Sequence, residues 1–235
     1  MIVSVHLADV GPRAALKTLR KPPEPDAVAG LAYAETVTTA PLGGGLLPAP
    51  RPGRVGMIAA WESDEALDEF GGSHPLAATF AEGWEVRMRP LRVSGHWPEM
   101  PWLPEQPLPV DDEEPVVALT LGRLRLARAV PFLRSAAAAE ADAVAAAAGA
   151  MLASTGLARP PRLVSTFSIW RSMAAMREYA YGKAGAHQAA VRNDRARPFH
   201  HASAFVRFRP YASRGNWGGR DPLAAVYEPS PGLNL

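Results

Sequence analysis

The sequence predicts an α+β fold: two ferredoxin-like βαββαβ halves in one chain, with their sheets facing one another. Three observations predict it. VRMRPLRVSGHW (86–97) aligns without a gap on VRFRPYASRGNW (206–217), sharing Val, Arg, Arg, Pro, Gly and Trp at the same offsets. Upstream, WESDEALDEF (61–70) aligns on WRSMAAMREY (170–179), sharing Trp, Ser, Ala and Glu, with Leu/Met and Phe/Tyr as conservative partners. IVSVHLA (2–8) and VVALTLG (116–122) are both short apolar runs leading into helix-like stretches. Self-similarity in the same order marks a duplicated unit, and its halves span 1–98 and 115–218.

Each half reads strand, helix, strand, strand, helix, strand. In the second half, periods of 2 and 3.6 place these at 115–122, 127–145, 148–156, 162–170, 172–195 (broken near Gly182–Gly185) and 200–210. The Ala-rich stretch 136–150 carries the least periodic information. The βαββαβ order gives a four-stranded antiparallel sheet with helices on one face. The bare face needs burying, and a second copy supplies that by packing sheet on sheet, as a barrel or sandwich. The interior between the sheets is the expected place for a ligand. Between the halves, 99–114 is dense in Pro and acid, continues neither a helix nor a central strand, and reads as a linker; the tail 219–235 is irregular.

Composition narrows the chemistry. The 235 residues can bury a real core, and 48% hydrophobic against 20% charged residues argues against disorder. A formal net charge of +2 offers no charge block for a polyanion, so nucleic acid is not the expected partner. There is no Cys, which removes disulfides, zinc–thiolate sites, iron–sulfur clusters, nucleophilic thiols and thiolate-ligated haem together. A metal must use His, Tyr, Met or carboxylates. MIVSVHLADVG lacks a basic region before its apolar run and reads as a strand, not a signal peptide. The Ala-rich run is interrupted by Glu140 and Asp142, short of a membrane span. A soluble, cytoplasmic protein is expected. Heavy Ala, Arg, Gly and Pro usage with little Lys points to a GC-rich bacterial genome.

The segment 160–222 is specific. TFSIW (Thr166–Trp170) is followed by Gly182 and Gly185, then His187 with Ala190, Val191 and Arg192 as H-x-x-A-V-R, and a closing G-x-W-x-G-x-D-P formed by Gly215, Trp217, Gly219, Asp221 and Pro222. This segment resembles the C-terminal half of the spheroidene monooxygenase family of carotenoid biosynthesis. The resemblance implies a dimeric α/β-barrel architecture formed within one chain, and haem-dependent oxygenase chemistry. Two features depart from the family's pattern: NDRARPFHH (193–201) stands where an aromatic pair is usual, and the first half is short and rich in Gly and Pro at 41–54. Both bear on the pocket and hence on the substrate.

With that resemblance, His187 becomes the candidate iron ligand. It opens a helical stretch on a small apolar face with Ala190 and Val191, and a haem ligand needs a fixed imidazole with small neighbours that let the flat macrocycle approach. Taken alone, the same residue reads as an ordinary helix-end histidine bonding a nearby carbonyl. Arg192 is the candidate catalytic arginine, able to pair with a propionate or polarise bound oxygen through its fork of donors; it reads equally as a solvated helix-face residue, and Arg195 reads chiefly as one. His74, in GGSHP, occupies the first-half position equivalent to His187 and, with Pro75 at a helix start, reads as a cap. His200 and His201 begin a strand, so at most one faces inward; either is a fallback ligand. His6 reads as a core residue, His96 lies beside Trp97, and the repeated pairs Arg87/Arg89 and Arg207/Arg209 read as charge on an outer sheet face.

Other chemistries find no support: G-x-S-x-G, G-x-x-x-x-G-K-[ST] and H-E-x-x-H are all missing, and the GGG at 43–45 lacks the strand–helix setting of a dinucleotide fingerprint. The expectation is a haem-iron monooxygenase for an apolar or aromatic small-molecule metabolite, with oxygen or peroxide as co-substrate and an electron donor as a further partner. Two rivals are a cofactor-free α/β-barrel oxygenase and a non-catalytic barrel that carries haem or another apolar ligand.

Overall fold

In the chain's computed structural model the described residues are 1–42, 51–125, 127, 149–160, 163–181 and 199–227. The element order is β1 (Ile2–Asp9), α1 (Pro12–Arg20), β2 (Leu31–Ala40), β3 (Arg54–Trp61), α2 (Asp64–Ser73), α3 (Ala77–Phe80), β4 (Trp84–His96), β5 (Val116–Leu124), β6 (Met151–Arg159), β7 (Leu163–Trp170), α4 (Met173–Tyr181), β8 (His200–Gly215) and α5 (Ala224–Tyr227). All eight strands pair antiparallel into one closed barrel in the order β1-β3-β2-β6-β7-β5-β8-β4. Each half contributes the ferredoxin order, β4-β1-β3-β2 and β8-β5-β7-β6, and the two sheets join edge to edge through β2–β6 and β4–β8. This is the dimeric α/β barrel within one chain. Closure leaves no free sheet edge.

The repeated residues do the same work twice. In the long β4–β8 seam Arg89 pairs with Arg209, and the register is mirrored about that pair: Met88 meets Pro210 and Pro90 meets Phe208. Gly95 and Gly215, equivalent in the repeat, both take positive φ (92° and 81°) where the partner strand comes close. A Cβ at Gly215 would lie 1.9 Å from the Gly83 carbonyl oxygen, and one at Gly95 2.3 Å from that of Ser203. The chain then turns over the barrel mouth and drops the repeated tryptophan into it. Trp97 packs into the interior cluster at one end, while Trp217 packs on Trp84 (5.4 Å) and Phe167 (6.1 Å) at the other. Ser63 and Ser172 each accept from a backbone amide three residues on, Ala66 at 3.3 Å and Ala175 at 3.2 Å, which caps the following helix. Trp61 packs tilted on Phe70 at 5.0 Å and Trp170 stacks on Tyr179 at 5.1 Å, anchoring those helices to the outer faces. Gly215→Ala should cost at least about 3 kcal/mol, since it adds left-handed backbone strain to overlap with Gly83; denaturant melts of the two chains check it.

Several expectations shift. Strand β6 begins at Met151, later than the expected start at 148, because Gly149 turns at φ 84°. β8 runs to Gly215, beyond the expected 210, because pairing with both β4 and β5 sustains it. The expected helix 127–145 lies, save residue 127, outside the described residues, as does the part of 172–195 beyond Tyr181. The segment after β4 holds neither helix nor strand, yet it packs closely: Trp97, Met100 and Leu103 are buried in the interior cluster, and the Val93 and Leu108 amides donate to Pro104 and Leu91 carbonyls at 2.7 and 2.9 Å. The interior itself is filled by Val3, Val5, Val37, Ile58, Trp84, Met88, Leu119, Phe167, Val206 and Phe208. The expectation of a ligand between the sheets therefore fails on packing, because bulky side chains from both sheets meet there. Sites must be sought on the outer faces. Among the described residues, no helix is long and apolar enough to cross a membrane.

Candidate functional site

The outer faces of the two sheets carry different side chains on the same frame. On the second sheet, register sets three cross-strand rows: Ser203, Gly122, Val164 and Ala158; then Phe205, Thr120, Thr166 and Gly156; then Arg207, Ala118, Ser168 and Ser154. Nine of these twelve are Gly, Ala, Ser or Thr. Their hydroxyls turn back onto the sheet: Thr120 and Thr166 join at 2.7 Å, the Thr166 amide donates to Thr120 Oγ1 at 2.8 Å, and the Trp170 indole N–H donates to Ser168 Oγ at 2.9 Å. What faces outward is a flat, low floor, bounded at one end by Trp170 and by α4 with Met173 and Met176. Edged by Val164, Phe205, Arg207 and the His200 ring against Gly122, the small residues around Thr120, Thr166 and Ser168, whose hydroxyls are partnered, suit a flat, largely apolar group.

On the first sheet the corresponding rows are Arg87, Ser4, Ala59 and Ala34, then Glu85, His6, Met57 and Thr36. Here α2 and α3 close over the sheet and Leu67, Phe70 and Phe80 are buried against it. The charges are organised around Glu85. Its Oε1 accepts from Arg87 Nε at 2.9 Å, and its Oε2 accepts from Arg214 Nε and Nη2 at 3.1 and 2.7 Å. Arg87 also donates to Asp64 at 3.1 Å and Asp68 at 2.5 Å. His6 is buried, with Nε2 2.9 Å from Ser4 Oγ and Nδ1 3.5 Å from Glu85 Oε2. The Trp61 indole N–H also donates to Ser4 Oγ at 2.9 Å; because the Glu85 carboxylate beside Nδ1 can only accept, the ring proton is assigned to Nδ1, which leaves Nε2 to accept from the Ser4 hydroxyl. A cavity of about 250 Å³ opens beside this group, lined by His6, Glu85, Arg214, Phe70, Phe80 and Gly71 among others. His6 is thus buried, as expected of a core residue, but beneath helices on the outer face of the sheet, and Arg87, on an outer sheet face as expected, is paired with acids.

Burial lowers the His6 pKa to about 4, a penalty that the neighbouring Glu85 only partly offsets. Burial alone would raise Glu85, but the positive groups around it outweigh that and hold it below the ordinary carboxylate value. The linkage has one sign. As pH falls from about 6.5 to about 4 the unfolded chain protonates His6 and the folded chain does not, so stability present above pH 6.5 is lost across that window. About 3 kcal/mol is expected to disappear, and His6→Gln should flatten the pH dependence of the denaturant midpoint over this range.

The candidate ligand set His187, Ala190, Val191 and Arg192 lies outside the described residues, together with Arg195, Gly182 and Gly185. His74 is the C-cap of α2, its ring stacked on Phe70 at 4.7 Å and its Nδ1 accepting from the Leu76 amide at 3.1 Å. It closes α2 and also leads into α3, since its carbonyl accepts from the Ala77 amide at 2.9 Å, so the expected cap-like role at a helix start is met as well. His200 is half-buried against Gly122, His201 and His96 are exposed. Arg207 is buried beside Met173, Arg209 pairs with Glu114, and Arg89 lies over the Tyr211 ring at 5.1 Å. The closing motif is a latch: Asp221 accepts from the Trp84 indole at 2.9 Å, Ser213 at 2.5 Å and the Leu223 amide at 2.9 Å. The His6–Glu85–Arg214 group escaped the sequence reading. Its one signal is an acid, Glu85, at the strand position where the second half has Phe205.

No protein-family model matches the sequence. Among curated proteins, spheroidene monooxygenase of Rubrivivax gelatinosus is 36% identical over 197 residues, covering 81% of this chain and 73% of that protein. Spheroidene monooxygenase of Rhodobacter capsulatus is 30% identical over 195 residues, covering 78% and 77%. Among solved structures, aldoxime dehydratase aligns over 89% of this chain and 80% of that one, with a TM-score of 0.48 and 8% identity, a likeness too distant to speak of function. Identity of this order across most of both proteins, with the motif of the second half inside the matched length, makes the chain a member of the spheroidene monooxygenase family.

Proposed function

We propose that the chain is a haem-dependent monooxygenase acting on a long or bulky apolar metabolite of the carotenoid kind, with haem on the outer face of the second sheet. The observation that carries the reading is the asymmetry of the outer faces. Within a monooxygenase family, the first sheet carries Glu85, His6, Arg87 and Met57 on its outer face, and the second carries mostly Gly, Ala, Ser and Thr at the matching positions, a floor on which a macrocycle can lie. His187 is the residue that would hold the iron, with Ala190 and Val191 as the small neighbours of its ring and Arg192 as the partner of a propionate. Haem, when bound, supplies the iron centre that takes up oxygen or peroxide. The chain's own contribution is to exclude water above an apolar floor and to hold the substrate beside the cofactor. Compensated hydroxyls at Thr120 and Thr166 keep that floor from competing for hydrogen bonds.

The test is reconstitution. Protein expressed with a haem precursor, or titrated with haemin, should show a Soret band at one haem per chain. Thr166→Trp raises an indole from the centre of the floor without touching the interior, and should weaken haem uptake at least about tenfold with an unchanged far-UV spectrum. Absence of stoichiometric binding to the unaltered chain would overturn the haem reading, and a colourless protein that still oxidises an electron-rich substrate would put a cofactor-free oxygenase in its place.

A further inference from the structure

The cavity on the first half is not used by this reading, and its walls are built. Gly71 and Ala81 are exposed and frame the mouth, with Arg214 beside them at 66% side-chain exposure. Leu67, Phe70, Ala77 and Phe80 form apolar sides, and His6 and Glu85, both buried, form the inner end. A volume of about 250 Å³ exceeds the roughly 150 Å³ of a dry cavity that takes benzene, and falls short of a drug-sized site. It fits one substituted ring.

Its polar atoms are specific about the substituents. A carboxylate offers about four lone-pair positions, and Arg87 and Arg214 fill three at Glu85. The remaining position is on Oε1, while His6 Nδ1–H lies 3.5 Å from the fully used Oε2, long for a direct bond, so the ring N–H lacks a good acceptor and Oε1 has room for one more donor. A ligand hydroxyl placed there accepts from Nδ1–H and donates to the carboxylate, completing both. At the mouth, Arg214 spends Nε and Nη2 on Glu85, and among the described residues Nη1 has no partner. An anion is favoured at that end and repelled at the inner one by Glu85.

We infer that this cavity binds a small planar hydroxyaromatic acid, ring between Phe70 and Phe80, hydroxyl bridging His6 and Glu85, and carboxylate on Arg214. The site is separate from the haem face and needs no cofactor, so it is tested on haem-free full-length chain. Calorimetric titration with 4-hydroxybenzoate should show one site per chain. Benzoate, lacking the hydroxyl, and 4-methylphenol, lacking the acid, should each bind about tenfold more weakly, as expected for loss of a hydrogen bond to a charged group. Arg214→Gln should reduce 4-hydroxybenzoate to the level of 4-methylphenol. Ala81→Trp, at an exposed position that leaves the core alone, should close the mouth and abolish binding of all three probes. No binding of 4-hydroxybenzoate at millimolar concentration, equal binding of 4-methylphenol, or undiminished binding to the Ala81→Trp chain would each overturn the assignment.

Discussion

His187→Ala is expected to lose stoichiometric haem, while His74→Ala keeps the unaltered spectrum. An outer-sphere partner of a metal ligand is already worth roughly 10–100-fold in affinity, so removal of the ligand itself should cost about 100-fold or more. The contrast with His74 is physical. Its ring is committed twice, stacked on Phe70 at 4.7 Å and accepting from the Leu76 amide at 3.1 Å, in a half whose outer face is already closed by α2 and α3. Haem titration followed by the Soret band, with the far-UV spectrum as the folding control, decides between the two. A reversed result would place the cofactor in the first half. Retention by both variants would move the ligand to His200 or His201, which open β8 at the edge of the small-residue floor.

The parts of the fold that could be read from the sequence are those in which one residue has one local task. Ser63 and Ser172 cap, Trp61 and Trp170 pack on the aromatic nine positions later, and Gly95–Trp97 and Gly215–Trp217 turn over the mouths and plug them. Each task needs only neighbours in sequence, so a shared residue at a shared offset reveals it. What stayed hidden depends on register between distant strands. Nothing local brings His6 to Glu85, or Glu85 to Arg214; the pairings β1–β4 and β4–β8 do so. The filled interior was hidden for the same reason, since only closure of the barrel brings Trp84 and Phe167 to within 6.1 Å. Between the halves, a dense run of prolines masks Trp97, Met100 and Leu103, which reach the core without any period to announce them. The floor of the second sheet was present in the sequence as TFS, TLG and STG, but small residues become a floor only when three strands lay them side by side.

Trp84→Ala should be the most destabilising single core truncation of the barrel, costing about 3–5 kcal/mol. The ring is 1% exposed and packs on Trp217 at 5.4 Å and Phe167 at 6.1 Å, where β1 and β4 meet the chain that follows β8. Its removal leaves a void bounded by both sheets, whose closed ladders restrain them from collapsing into it, so the cavity cost is paid nearly in full. A second loss follows. The indole N–H donates to Asp221 Oδ1, which also accepts from the Leu223 amide, and Leu223 is itself fully buried in the interior cluster. Truncation therefore loosens the latch that seats Trp217 and Leu223 over the barrel end. For a chain of this length the melting temperature should fall by about 10 °C. Trp84→Phe retains most of the ring volume and loses the hydrogen bond, so it should cost about 1–2 kcal/mol. Trp97→Ala at the opposite mouth is the comparison: its indole bonds no residue of the tail, and its loss removes packing and the Arg123 guanidinium that lies over its ring at 4.9 Å but no latch, so a smaller drop is expected. Equal costs at the two tryptophans in urea melts would show that Asp221 contributes nothing to holding the tail, and that the latch is packing alone.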